Sequence, residues 1–492
     1  MRASLLSICV VLAVVSSSCG DKWGKSSFPE PLRYDQINID GELKFRLTQN
    51  MQRLSSCPGE VDGKTILGLV SDAYALRQAS PQLLDMISRV PSHLNSLGYI
   101  GSESGEMMDE QQLSENGWML RGLCAYYDMS SDAKALDWIK SISENLFVKG
   151  KGLYDSGMDG LIEAYRLVGT PEMKEVIEKM LARFLDKDLV AIQAPTHASL
   201  TACRGLVRFA EITGDKRWID EARQRWETYK QYGMTENYAC YNRFGMYDSC
   251  SDPCASVDSY ILALKLWQHT GETGYLRDAQ LIYYNALCHE QRENGGFGSD
   301  SCPGLASGPD LFVETDEVPC CTMKGAEGLA TSESYTCLRD GNTFYITCFR
   351  QAKITVDGFG MEMVTDYPLE GFMNFIVTEN NLGKDVRLKF YIPDWIKPGT
   401  LRIGGKEYQP KIDPDGFLVL DHPLRVGDRV VLEYFYEPRE EGTINQMNTK
   451  PGQVRYFSGP FMIDEQAEPV YHLMDPMVNK ESGYSRKVLF RG

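Results

Sequence analysis

Two segments of the chain bring together residues that could do chemistry. Cys320 and Cys321 are adjacent in DEVPCCTMKGAEGLA, just before a stretch with the pattern of a helix start. In TENYACYNRFGMYDSCSDPCAS, one residue separates Asp252 from Cys254. One carboxylate and three thiolates are ligand types that suit tetrahedral zinc. The spacing leaves three interpretations open: a zinc site formed by these four residues, disulfides, or thiols buried in a core.

Glu236 is a candidate for acid chemistry, because it precedes the aromatic residues Tyr238, Tyr241, Phe244 and Tyr247. Desolvation beside such rings raises the pKa of a carboxyl group and would keep Glu236 protonated as a general acid. The rings themselves could stack on sugars. The alternative is a solvated loop glutamate beside aromatic residues of the core.

Composition limits the classes of partner. A chain of 492 residues with 43% apolar content can bury a large core and has the length of two or three domains. The formal net charge is −17, and no run of basic residues occurs. Nucleic acids and anionic membranes attract clustered Lys and Arg, so the sequence argues against both as partners.

The first residues, MRASLLSICVVLAVVSSSCG, have the pattern of an export signal. Arg2 precedes an apolar run that is too short to span a bilayer comfortably, and small residues follow up to Cys19. We expect residues 1–18 to be removed and Cys19 to carry a lipid anchor, as in a lipoprotein of a bacterial cell envelope, in the periplasm or at the cell surface. A plain secreted protein is the alternative. Export would permit disulfides at every cysteine.

Helices are predicted over the middle of the chain. Gly169, Gly214 and Gly271 each stand between two helical runs, where glycine commonly ends a helix in the left-handed conformation. Between Leu200 and Ala210, apolar residues recur at steps of three and four, the period of an amphipathic helix. Repeated helix pairs indicate a solenoid or a closed toroid, and the uneven spacing of the glycines favours the toroid.

The pattern changes at about residue 341, where short β-branched and aromatic segments are separated by Gly, Asp, Asn or Pro. This is typical of an all-β sandwich. The predicted fold is therefore mainly α with a β domain: an (α/α)6-type helical toroid followed by an antiparallel β-sandwich. Its predicted divisions are a signal peptide 1–18, an N-terminal segment 19–60, the toroid 61–340, and the sandwich with a C-terminal tail 341–492.

These motifs together resemble glycoside hydrolase family 127 and its relatives, the β-L-arabinofuranosidase-like proteins. The resemblance rests on DPCAS, the later pair in CCTMKGAEGLA, the helical repeats around them and the sandwich after them. The strand segments LKFYIPDW and VRYFSGPFMI also look like the family's pattern, and the similarity runs from roughly residue 60 to 465. It implies that the toroid is the catalytic domain.

The resemblance also implies roles for individual residues. A zinc ion would be held by Asp252, Cys254, Cys320 and Cys321, with Cys320 as the nucleophile. The family's acid/base glutamate lies sixteen residues before the acidic ligand, which is the position of Glu236. Zinc lowers the pKa of a thiol, so Cys320 could attack the anomeric carbon while Glu236 protonates the leaving oxygen. Water would then release the sugar with net retention.

The chain also departs from the family pattern. Asp252 stands where the family has glutamate, and MDGLIEA places Gly160 where the family has a histidine, with Asp159 beside it as a candidate for substrate binding. His197 in APTHASLTACRG matches a family active-site histidine and is expected to donate a hydrogen bond to a sugar hydroxyl. Its alternative role is a structural histidine at a helix start. Tyr238 is the third candidate for substrate binding.

The sequence therefore predicts an exported, zinc-dependent retaining glycoside hydrolase that acts on an oligo- or polysaccharide. It predicts no nucleic-acid partner, and membrane contact through the lipid anchor alone. Because the binding residues differ from the family pattern, a non-catalytic surface carbohydrate-binding protein of the same fold is the alternative. A polysaccharide lyase is a third possibility, since helical toroids followed by β domains also occur among lyases and fold alone does not fix function.

Overall fold

The structure, a computed structural model, describes residues 29–56, 61–103, 110–150, 154–420, 422–464 and 485–490. The predicted signal peptide 1–18 and the predicted lipid-anchor residue Cys19 lie outside the described residues. Among the residues described, no helix combines the length and the apolar character needed to cross a membrane. The predicted domain boundaries stay predictions.

Helices form the first part of the described chain. The α-helices are α1 Gly41–Ser56, α2 Gly63–Leu76, α3 Pro81–Arg89, α4 Glu110–Ser130, α5 Ala133–Ser141, α6 Met158–Val168, α7 Pro171–Leu185, α8 Thr196–Thr213, α9 Arg217–Tyr232, α10 Pro253–Thr270, α11 Gly274–Ile282, α12 Cys288–Glu290 and α13 Pro319–Ser334. The segments Ile142–Val148 and Tyr283–Leu287 continue α5 and α11 as π-helix, and Val90–Ser92 and Gly383–Asp385 are 3-10 turns.

Six of these helices close a ring. Helices α2, α4, α6, α8, α10 and α13 each contact the next in this order, and α13 returns to contact α2. Helices α5, α7, α9, α11 and α1 pack against α4, α6, α8, α10 and α13, respectively, and α3 packs against α2. The chain thus forms an inner ring of six helices with partners outside it, which confirms the predicted (α/α)6 toroid.

The local signals that predicted these helices act as expected. Gly169, Gly214 and Gly271 cap the C-terminal ends of α6, α8 and α10 with φ values of 67°, 73° and 75°. Only a residue without Cβ adopts this left-handed conformation at little cost. The apolar residues between Leu200 and Ala210 lie on the buried side of α8.

Strands form the rest. They are β1 Glu30–Pro31, β2 Ile37–Ile39, β3 Asp310–Phe312, β4 Cys337–Asp340, β5 Thr343–Ile346, β6 Ala352–Val356, β7 Phe359–Val364, β8 Phe372–Asn380, β9 Arg387–Tyr391, β10 Ile396–Ile403, β11 Lys406–Tyr408, β12 Phe417–Leu420, β13 Arg429–Tyr436, β14 Arg439–Gly442, β15 Val454–Ser458, β16 Phe461–Ile463 and β17 Ser485–Lys487.

Two sheets face each other across an aromatic core. One has the strand order β11-β10-β13-β8-β7-β6-β2 and the other β1-β4-β5-β9-β12. Phe344 meets Phe359 between the sheets with ring centroids 4.9 Å apart, and Phe375 stacks on Phe390 at 5.2 Å. Pairing is antiparallel except between β5 and β9, which run parallel. The predicted sandwich is confirmed, and the early strands β1 and β2 each occupy an edge of it.

A small third sheet, β14-β15-β16, follows the sandwich, and β17 pairs with β3. Residues 443–453 join β14 to β15, and we call them the β14–β15 connection. Its backbone reaches the toroid, because the N–H groups of Ile444 and Asn445 donate to Glu236. The connection therefore contributes directly to the surroundings of a predicted site residue.

Close packing of α4 on α6 explains one departure from the family pattern. A Cβ added at Gly160 would overlap the carbonyl group of Gly117, and one added at Gly117 would overlap the backbone of Gly157. The two helices approach backbone to backbone at these glycines. A histidine at position 160 would push them apart.

We expect Gly160→Ala to lower the free energy of unfolding by about 1–3 kcal/mol, since the added methyl group must displace a backbone carbonyl. Gly274→Ala is the matched control, because a Cβ there meets no atom within 4 Å and lies in a helix. Chemical denaturation of the two variants measures the difference. Equal stabilities would contradict the close approach of α4 and α6.

Candidate metal centre and adjoining cavity

The sulfur-bearing residues stand at the starts of two inner helices. Helix α10 begins with Pro253 and Cys254, and α13 begins with Pro319, Cys320 and Cys321. Proline suits the first helical position, where no N–H donor is required and its φ is already helical. The exposed N–H groups and the dipole of a helix start favour negative charge. Both helices are therefore built to hold thiolates.

The three thiols lie together. The sulfur atoms of Cys254, Cys320 and Cys321 are all within 4.8 Å of one another. Cys254 and Cys321 are 3.5 Å apart, and Cys320 and Cys321 are 3.9 Å apart. A tetrahedral centre with Zn–S bonds of about 2.3 Å separates its sulfur atoms by about 3.8 Å. Since none of the described cysteines forms a disulfide, the arrangement fits a bound metal ion better than the disulfide alternative.

The three thiols differ in access and in charge. Cys320 is exposed, whereas Cys254 and Cys321 are buried. Hydrogen bonds from Cys254 and Cys321 lower the pKa of Cys320, and the nearby side chains of Lys64 and His197 lower it further. The same hydrogen-bonded arrangement raises the pKa of Cys254 above its usual value. Cys320 is thus the thiol of the group that ionises most easily and the one that solvent can reach.

Asp252 stands beside this group as the N-cap of α10. Its Oδ1 accepts the N–H groups of Cys254 at 3.0 Å and Ala255 at 3.4 Å. Burial raises the pKa of Asp252, His197 lowers it, and the negative charge of Cys320 raises it. The set of atoms within 4.8 Å of one another consists of the three sulfurs. The role of Asp252 as a fourth ligand stays a prediction.

A cavity of about 260 Å³ opens among the inner helices. Its lining includes Lys64, Trp118, Arg121, Asp159 and His197. The volume is just below the range of about 300–1,000 Å³ that drug-sized ligands occupy, so it suits a ligand of about one or two sugar units. Two of the predicted substrate-binding residues, Asp159 and His197, belong to this lining.

Charged side chains fill the ring beneath the cavity. We call this set the ionic network; it consists of three cations, Arg121, Arg204 and Lys324, and three carboxylates, Asp159, Asp258 and Glu327. All six are buried. Lys324 Nζ lies 2.9 Å from Asp258, and Glu327 pairs with all three cations. Burial acts to raise the pKa of Asp258, but Lys324 and Arg204 outweigh it and hold the pKa well below its usual value.

The network orients His197. Its Nδ1 lies 2.8 Å from Oδ2 of Asp258, and its ring stacks on Trp118 with centroids 5.6 Å apart. Because Asp258 is ionised, Nδ1 carries the proton. The neutral ring then presents Nε2 as an acceptor, 3.4 Å from Nζ of Lys64. Donation to a sugar hydroxyl, the predicted role, therefore requires the protonated imidazole.

Glu236 and Tyr238 lie outside the lining of the cavity, where the toroid contacts strand β14 and the β14–β15 connection. Oε1 of Glu236 accepts the N–H of Asn445 at 2.8 Å, and Oε2 accepts that of Ile444 at 2.9 Å. The Tyr238 hydroxyl donates to Glu441 at 3.2 Å. Both residues are buried, and neither belongs to the lining of the cavity. Their predicted roles stay predictions.

Several residues around the site are absent from the sequence-based set: Lys64, Trp118, Arg121, Arg204, Asp258, Lys324 and Glu327. A usable signal existed for some of them. Lys324 and Glu327 lie in the first turns of the helix that begins with the cysteine pair, and Asp258 is the one charged residue in the first half of α10. Charged residues on the inner face of a predicted helix in a toroid point towards its axis.

Comparisons with known proteins concern the family of the sandwich and the fold of the chain. The model of the beta-L-arabinofuranosidase GH127 middle domain matches residues 343–435. No curated protein matches the chain significantly. Among solved structures, a GH127 beta-arabinofuranosidase is similar with a TM-score of 0.70 at 16% identity, covering 88% of this chain and 85% of its own.

Two more structures show the same fold. One, described as a glycoside hydrolase, has a TM-score of 0.70 at 14% identity and covers 89% of this chain and 84% of its own. The GH127 beta-L-arabinofuranosidase from Geobacillus Stearothermophilus T6 has a TM-score of 0.66 at 15% identity. The match covers 85% of this chain and 80% of that enzyme. The names of the family model and of these structures are those of glycoside hydrolases, the enzyme class that the sequence predicts. The predicted resemblance to glycoside hydrolase family 127 is therefore confirmed, in sequence over residues 343–435 and in fold over the toroid and the sandwich.

Proposed function

We propose that this protein is a zinc-dependent retaining glycoside hydrolase, similar to the β-L-arabinofuranosidases, that acts on an oligo- or polysaccharide. One observation carries the proposal: three thiols converge at the starts of two inner helices, and the one that is exposed is the predicted nucleophile, Cys320. The hydroxyl of Thr65, next to the cavity residue Lys64, donates to the sulfur of Met323 at 3.2 Å, so the cavity and the start of the helix that carries Cys320 are neighbours.

The donor set fits zinc. Cys254, Cys320 and Cys321 would hold the ion, with Asp252 as the fourth ligand. Zinc bound there would keep these thiols deprotonated at neutral pH. The buried residues Cys254 and Cys321 then serve as structural ligands, whereas Cys320 is accessible to a substrate.

The reaction would proceed by two displacements. In the first, the sulfur of Cys320 forms a bond with the anomeric carbon, the glycosidic carbon–oxygen bond breaks, and Glu236 gives its proton to the leaving oxygen. In the second, Glu236 takes a proton from water, the water oxygen bonds to the anomeric carbon, and the carbon–sulfur bond breaks. Two inversions give net retention.

The surroundings of Glu236 set a condition on this mechanism. The carboxylate accepts two backbone N–H groups of the β14–β15 connection, and Arg455 lies 3.4 Å away. The two N–H groups occupy both oxygens of the carboxyl group. To protonate a leaving group, Glu236 has to exchange at least one of these contacts for the substrate. We infer that the connection moves during turnover.

The same contacts favour a second candidate function. A glutamate that is fully buried and held by two backbone N–H groups suits a structural role between the toroid and the β14–β15 hairpin. With Glu236 fixed in that role, the chain would be a surface carbohydrate-binding protein with the hydrolase fold. Turnover of any glycoside in a panel of substrates excludes this candidate.

The proposal includes export and attachment to the cell envelope through Cys19. Its support is the sequence of the first twenty residues, in which an apolar run follows Arg2 and ends before a cysteine.

Protein purified without added zinc is expected to contain about one zinc ion per chain, because three thiols within bonding geometry form a closed set of ligands. Elemental analysis by mass spectrometry measures this. Cys254→Ala and Cys321→Ala should lose the metal, whereas Cys337→Ala, which removes a buried thiol of the sandwich, should keep it. Metal-free protein with Cys320 and Cys321 oxidised would contradict the metal centre.

We expect Cys320→Ala and Glu236→Ala each to lower hydrolysis of an aryl glycoside by about a thousandfold or more, because each removes a group that takes part in bond exchange. Azide should restore activity in Glu236→Ala by replacing water as the second nucleophile, whereas a purely structural Glu236 would give an unstable protein that azide does not rescue. Full activity in both variants would contradict the mechanism, and Cys337→Ala serves as the control.

Cys19→Ala is expected to abolish incorporation of labelled fatty acid and to release the protein from the membrane fraction, because the variant lacks the thiol that receives the lipid. Expression of the full chain in a bacterium with metabolic palmitate labelling measures this. A labelled Cys19→Ala protein, or an unlabelled wild-type protein, would contradict lipidation at this residue.

A further inference from the structure

Lys64 differs from the other cations in the lining of the cavity, because no carboxylate of the described residues pairs with it. Three cations, Lys64, Arg121 and Lys187, belong to the described lining. Arg121 pairs with Asp159, and Nζ of Lys187 lies 2.6 Å from Asp155. In the part of the chain that the structure describes, no carboxylate lies within 4 Å of Nζ of Lys64, although Lys64 takes part in two other contacts.

These two contacts fix Lys64 at the cavity wall. Its Nζ lies 4.4 Å from the centre of the Trp118 ring and 3.4 Å from Nε2 of His197. The nearby carboxylate Asp62 accepts the N–H and the hydroxyl of Thr65 and caps helix α2. An aromatic ring and the imidazole of His197 hold the ammonium group in place, and among the described residues no carboxylate pairs with it directly.

Lys64 stays charged in this position. Burial lowers its pKa, but the charges of Cys254, Cys320 and Asp62 outweigh burial and raise it above the usual value. Lys64 is the second residue of α2. The dipole of the helix start therefore adds to the positive potential at this end of the cavity. The overall charge of −17 acts at longer range, where salt screens it.

We infer that the cavity binds an acidic sugar, a uronate unit whose carboxylate pairs with Lys64 and whose ring lies beside His197 and Trp118. This inference rests on the proposed function for its hydrolytic step, but not for binding. A carboxylate forms an ion pair as well as a hydrogen bond with an ammonium group, whereas a neutral sugar offers only uncharged hydroxyl acceptors. The sugar ring would take up the remaining volume of the cavity.

Binding of matched sugars tests the inference without turnover. Galacturonate and galactose differ in one group, carboxylate against hydroxymethyl, as do glucuronate and glucose. Calorimetry or ligand-observed NMR at low ionic strength should give a uronate affinity about tenfold or more above that of the matched neutral sugar. Galactose 6-sulfate in the same series separates uronate recognition from attraction of any anion, and equal affinity for it would overturn the assignment to uronates.

Three variants complete the test. Lys64→Met should bring the affinity ratio of uronate to neutral sugar close to one, and Lys64→Arg should restore most of it. Lys134→Met, which removes the same charge from an exposed position at the start of α5, should leave the ratio unchanged. Equal or weaker binding of the uronates by the wild-type protein, absence of binding by both sugars, or unchanged discrimination in Lys64→Met would overturn the inference.

The outcomes separate the inference from the proposed function. Uronate binding that depends on Lys64 in a protein that hydrolyses no glycoside would support the inference and refute the hydrolase. Hydrolysis of glycosides by a protein that binds uronates no better than the matched neutral sugars would support the hydrolase and refute the inference. If Lys64 were merely a counter-charge for the thiols, Lys64→Met would change thiol alkylation rates and leave the sugar preference intact, which also refutes the inference.

Discussion

The buried ionic network at the axis of the toroid is the constraint on which the rest of the structure depends. Removing one partner from such a set leaves a charge in a medium of low dielectric, at a cost of about 3–5 kcal/mol. Its six members come from α4, α6, α8, α10 and α13, so the charges are neutralised only when these helices are all in the ring. The network therefore sets both the closure of the inner ring and the position of Asp258, which orients His197.

The same closure assembles the thiol group. Cys254 and the pair Cys320 and Cys321 belong to helices that are neighbours in the ring, and their starts meet at the end that carries the cavity. Two helix starts with proline in the first turn supply the backbone geometry and the favourable potential for thiolates. A metal ion bound by three sulfurs would in turn link α10 to α13 and stabilise the ring at this point.

Much of this architecture could be predicted from the sequence, because its signals are local. The capping glycines, the period of α8 and the alternating strands each act over a few residues. The pair Cys320 and Cys321 could be recognised as candidate ligands from the sequence, because two adjacent cysteines are rare. The environment of Glu236 was not predictable, since Ile444 and Asn445 are more than two hundred residues away along the chain. The ionic network was missed for a related reason: a charged residue on an inner helix has the same local pattern as one on the surface.

The central claim is that three cysteine sulfurs bind one metal ion at the starts of α10 and α13. X-ray absorption at the zinc edge tests it most directly, because it counts the sulfur and the oxygen or nitrogen neighbours of the metal. The account predicts three sulfur atoms at about 2.3 Å and one lighter ligand. A zinc ion surrounded by oxygen and nitrogen alone, or by a single sulfur, would contradict it.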